Sequence, residues 1–65
     1  MAGPALVRNL TVPVDGAVHR GTYYVQSKMV YVQYGGETKV TQVGGSSPVS
    51  IARLLLSEMV REQRP

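Results

Sequence analysis

The sequence predicts an α+β domain: a four-stranded antiparallel meander, order ββββα, with a single C-terminal helix packed on one face of the sheet. Three observations predict it. Apolar and polar residues alternate through most of residues 6–43. Pairs of turn-forming residues interrupt that alternation, and Ser46-Ser47-Pro48 then opens a stretch whose apolar residues recur at helical spacing.

The first strand is expected at about 6–14, after a frayed start at residues 1–4. Leu10, Val12 and Val14 share one face, with Thr11 and Pro13 on the other. Pro13 has no amide hydrogen for a ladder, so either this strand is expected at a sheet edge or the Pro13 nitrogen is turned to solvent. Asp15-Gly16 follows, a strong hairpin signal because both residues tolerate positive φ. A turn of that pair alone sets Val14 opposite Ala17, Val12 opposite His19 and Leu10 opposite Gly21.

The second strand, about 17–26, puts Tyr23 and Val25 on the Leu10 face. Ser27-Lys28 is a weak turn former, yet one strand from 17 to 34 would exceed the usual length. A reversal there opposes Val25 to Val30, Tyr24 to Tyr31 and Tyr23 to Val32, with a third strand at about 29–34. Gly35-Gly36 reverses the chain again into a fourth strand at about 38–43. A loop widened to include Glu37 is preferred there, because it sets Val40 beside Val32.

The helix is expected over about 48–63. Ser46 or Ser47 is suited to cap free amides, and Pro48 to the first helical position, where no donor is needed. Its apolar residues form two flanks, Ile51, Leu54 and Leu55 on one and Ala52, Leu56, Met59 and Val60 on the other. The expected core is Leu10, Val12, Tyr23, Val25, Val30, Val32, Ile51, Leu55 and Met59. Leu56 and Val60 are then surplus apolar surface, available to another chain.

Composition narrows the function classes. Sixty-five residues make one small domain, near the lower limit for a core that folds unaided. There is no cysteine, which removes disulfides and thiolate metal sites, and a single histidine with four scattered acids is poor material for any other metal site. No cofactor is expected, and oligomerisation gains weight as the remaining reinforcement. The net charge of +3 suits solubility and is compatible with an acidic or nucleic-acid partner. Met1 to Leu10 lacks the pattern of a signal peptide and no apolar run reaches membrane-spanning length, so a soluble cytoplasmic protein without membrane attachment is expected.

The surface chemistry points to binding rather than catalysis. His19 faces Val12 with no nucleophile brought beside it, so no catalytic residue is assigned. Gly44-Gly45-Ser46-Ser47 lacks the lysine and the glycine spacing of a phosphate loop and reads as an ordinary strand-to-helix connection. Arg61 and Arg64 at the C-terminus, with Arg53 of the helix, offer a basic strip, but a helix C-terminus favours cations anyway and the strip is assigned no role.

The face away from the helix is different. There Tyr24, Gln26, Met29, Tyr31 and Gln33 gather, and with Leu56 and Val60 they form the candidate interaction surface of a self-associating domain. The alternative is a module for single-stranded nucleic acid, with Tyr24 and Tyr31 stacking on bases and Arg8, Arg20, Lys28 and Lys39 following the backbone. No run like the aromatic-glycine-basic signature of RNA-recognition motifs is present, and one helix is too few for a ribbon-helix-helix protein.

Overall fold

The computed structural model describes residues 6–45 and 47–63. Residues 1–4, Ser46 as a candidate cap, and Arg64 lie outside the described residues. Four strands, β1 (Arg8–Val14), β2 (Ala17–Gln26), β3 (Met29–Tyr34) and β4 (Glu37–Gln42), form one antiparallel sheet in the order β1-β2-β3-β4, followed by α1 (Pro48–Gln63). This is the ββββα arrangement that the patterning predicts.

Each reversal is a two-residue turn with both residues at positive φ: Asp15 and Gly16 (51° and 81°), Ser27 and Lys28 (52° and 63°), Gly35 and Gly36 (57° and 84°). Such primed turns match the right-handed twist of the strands they join. They set the registers Val14↔Ala17, Gln26↔Met29 and Tyr34↔Glu37. The third differs from the sequence expectation. Since two glycines close the turn unaided, β4 begins at Glu37, and Val40 stands opposite Tyr31 rather than beside Val32. Lys39 takes the place opposite Val32, on the helix side.

The core is Leu10, Val12 and Val14 from β1, Val30 and Val32 from β3, and Ala52, Leu56, Met59 and Val60 from α1. Val30, Val32, Leu56 and Met59 are completely enclosed, each worth about 1.5–3 kcal/mol of transfer free energy. Leu56 and Val60, expected as surplus surface, are therefore core residues. Ile51 and Leu55, expected in the core, are half-buried at its margin, as is Tyr23. The reason lies one turn further along the helix. The Ile51–Leu55 flank continues into Glu58 and Glu62, whereas the Ala52–Leu56 flank stays uncharged through Met59, Val60 and Gln63. Burying the first flank would have drawn carboxylates towards the sheet.

Val25 is a second correction. It lies on the helix side but is 40% exposed. β1 starts at Arg8, opposite Tyr23, so no strand flanks Val25 on that side.

The helix starts where Ser47 offers its carbonyl to the Ile51 amide (3.2 Å) ahead of Pro48. Its far end is fastened to the β3–β4 hairpin. Gln63 Nε2 donates to the Tyr34 carbonyl at 2.9 Å, and Lys39 Nζ pairs with Glu62 at 2.6 Å. α1 packs chiefly on β1 and β3, crossing β2 between them and leaving β4 at the margin. No helix among the described residues is long and apolar enough to cross a membrane.

Candidate interaction surface

The face away from α1 is built in rows, because period-two alternation and the registers bring every second residue of neighbouring strands into line. The central row is Tyr24–Tyr31–Val40; Thr22–Gln33–Thr38 and Gln26–Met29–Gln42 flank it. The Tyr24 and Tyr31 rings stack at 4.6 Å between centroids and 5° between planes. The rings are therefore stacked, each turning one of its faces to the other. Thr22 Oγ1 donates to Gln33 Oε1 at 3.3 Å in the adjoining row.

Five of the expected interaction residues, Tyr24, Gln26, Met29, Tyr31 and Gln33, are thus together on one open face. Leu56 and Val60 are enclosed on the other side of the sheet. Two apolar side chains extend the open face: Val40, 44% exposed beside Tyr31, and Val18, 74% exposed on β2. Val40 was readable from sequence through the Gly35-Gly36 turn. A two-residue hairpin at that pair puts it opposite Tyr31 without further information.

The charges divide unevenly. Asp15 occupies a turn, Glu37 and the helix residues Glu58 and Glu62 lie on the helix side, and no strand position on the open face carries a carboxylate. Arg20 is on the open face, opposite Thr11, and Lys28 is at the β2–β3 turn. Lys39 is on the far side, where its hydrogen bond to Glu62 raises its pKa above 10.5; partial desolvation opposes this, and the charges of Glu62, Glu58 and Glu37 add to it. Arg8, opposite Tyr23, is also on the helix side. Two of the cations expected to follow a nucleic-acid backbone are therefore separated from the tyrosines by the sheet.

On the helix side, His19 Nδ1 and the Tyr34 hydroxyl lie 3.3 Å apart, with the two rings edge to face at 80°. That contact gives the imidazole a packing partner, with Val12 directly across the strand pair. Among the described residues no group of three or more His, Asp and Glu side chains comes together. An open recess of about 540 Å³ between the Ser27-Lys28 turn and Gly44 contains Lys28 as its one charged side chain. No protein-family model, curated protein or solved structure matches this chain.

Proposed function

We propose that the chain is a non-enzymatic protein-interaction domain that self-associates and presents the open face of its sheet, centred on Tyr24 and Tyr31, to a protein partner. The observation that carries this reading is the stacked tyrosine pair standing in the middle of a face that α1 leaves uncovered and that bears no carboxylate. Tyrosine and methionine at the centre with amides and threonines around them is the composition favoured at interface cores with polar rims. Sedimentation equilibrium up to high micromolar concentration tests self-association. A chain that stays monomeric throughout sinks that part of the reading.

A single-stranded nucleic-acid partner is the second reading, supported by Arg20 and by the absence of acids from the face. It is the weaker one. Each ring spends one of its faces on the other ring, and Lys39 and Arg8 are on the far side of the sheet. Amide shifts of labelled protein titrated with a short mixed oligonucleotide decide between the two. Salt-sensitive shifts at residues 22–33, lost in Tyr24→Ala and Tyr31→Ala, favour nucleic acid. No shift removes it.

A further inference from the structure

The two edges of the sheet are not equivalent. In an antiparallel ladder the residues flanking a two-residue turn exchange hydrogen bonds, and alternate residues beyond them point their amides outward. On β1 the Val14↔Ala17 pair flanks its turn, so Asn9, Thr11 and Pro13 face the free edge. Pro13 has no hydrogen to offer there, and its ring obstructs an incoming strand. On β4 the pair flanking the turn is Tyr34↔Glu37, and the ladder continues past the strand with the Val43 amide donating to the Lys28 carbonyl at 3.0 Å. Odd-numbered residues therefore bond inward, leaving the amides and carbonyls of Thr38, Val40 and Gln42 on the free edge. This edge has no proline, and its register against β3 is unbroken from Glu37 to Gln42. Its one lysine is drawn over the sheet to Glu62 rather than projecting across the edge.

We propose that β4 pairs antiparallel with β4 of a second copy about a two-fold axis at Val40, joining the two sheets edge to edge. This rests on the reading of the chain as self-associating and adds where and how the copies meet. The sequence of β4 selects the axis. Centred on Val40, the outward-facing residues all find partners: Val40 meets Val40 of the second copy and Thr38 meets its Gln42, while Lys39 stands opposite its Thr41. Centred on Lys39, two ammonium groups would oppose each other across the seam, and like charges directly opposite destabilise a strand pair. Centred on Thr41, Thr38 is left without an outward-facing partner.

The Val40 axis also makes the central row of the open face continuous, running Tyr24–Tyr31–Val40 and then through the same residues of the second copy in reverse. The two helices lie on the same side of the joined sheet, each packed chiefly over its own β1 and β3. A seam of one strand pair buries less than a standard interface, so the dimer is expected to be weak, with a micromolar dissociation constant.

Sedimentation equilibrium and amide hydrogen exchange, over concentrations from low micromolar to about millimolar, test the proposal on wild type and Val40→Pro. Val40→Pro removes an outward donor and keeps the inward ladder, as Pro13 does on β1; preserved circular dichroism checks its fold. The expected result is a wild-type dimer, a Val40→Pro monomer, and protection of the wild-type Thr38, Val40 and Gln42 amides rising roughly tenfold or more as the dimer forms. A wild-type dimer that leaves those amides unprotected, or that survives Val40→Pro, overturns edge pairing while self-association stands. A monomer at every concentration overturns both. Should Val40→Pro fail to fold, wild-type exchange alone decides.

Discussion

Leu56 seats its δ-methyl groups against the bare α-carbon of Gly21: a Cβ built on Gly21 would come within 2.9 Å of Leu56 Cδ1 and 2.8 Å of the Gln33 carbonyl oxygen. Gly21 is the gap in β2 through which α1 reaches the sheet, since its neighbours on that face, His19 and Tyr23, are both large. One of the two close atoms is main chain and cannot move aside without disturbing the β2–β3 ladder. Gly21→Ala is therefore expected to cost about 1–3 kcal/mol by overpacking, and Leu56→Ala about 2–5 kcal/mol through the cavity it leaves. The double variant should be less destabilised than the sum of the two, because the truncated leucine makes room for the new methyl group. Urea unfolding of the four proteins measures this; strict additivity would show that the two residues do not share the space.

The β2–β3 turn is the one reversal without glycine. Ser27 and Lys28 adopt φ of 52° and 63°, a region costing L-residues of order 1 kcal/mol each. Replacing the pair by Asn-Gly keeps the turn type and relieves that strain, so Ser27→Asn/Lys28→Gly is expected to stabilise the domain by about 1 kcal/mol. A raised denaturation midpoint with unchanged slope is the expected signature. A lower midpoint would mean that the two side chains contribute more than the strain they carry.

Stacking of Tyr24 on Tyr31 should appear as a coupling of about 0.5–1.5 kcal/mol in a double-mutant cycle to alanine. Both side chains are half-buried on the open face and remote from the α1 core, so each single variant should remain folded. A coupling near zero in the unfolding cycle would reduce the pair to two neighbours with no preference for stacking.

Lys39 tests how the end of the helix is fastened. Its pKa is raised above 10.5 by the hydrogen bond to Glu62. A cation whose folded pKa exceeds its unfolded value adds stability that is fully present below the unfolded pKa and is lost as pH rises through the folded one. Any contribution from this pair therefore disappears only above about pH 10.5 and is unaffected at neutral pH. In Glu62→Gln the Lys39 midpoint, followed by NMR of the side-chain carbons, is expected to fall towards the ordinary value. A midpoint unchanged by that substitution would show that the ion pair is not kept in solution.

The elements and most of the open face are legible in the amino-acid order because they depend on local chemistry. Asp15-Gly16 and Gly35-Gly36 suit primed turns by themselves, and once the turns are placed, counting along the strands opposes Tyr24 to Tyr31 and Val12 to His19. Even the weak Ser27-Lys28 signal is resolved by strand length. In β4 the turn chemistry of Gly35-Gly36 sets the register, and the apolar character of Val40 does not. Burial was the wrong criterion for a valine that stands on the open face next to a tyrosine.

By itself, then, the sequence determined the order of elements, the registers of the first two hairpins and the tyrosine pair, all of which follow from residues close together along the chain or related by a single hairpin. Only the tertiary structure decided which flank of α1 is buried, that Val25 has no strand beside it, and that Lys39 reaches Glu62. Those outcomes depend on where the helix settles across β1 and β3, and that position is set by contacts such as Leu56 on Gly21 between residues far apart in the chain. Alternation can say which face of a strand is apolar; it cannot say how far a helix of limited width will cover it.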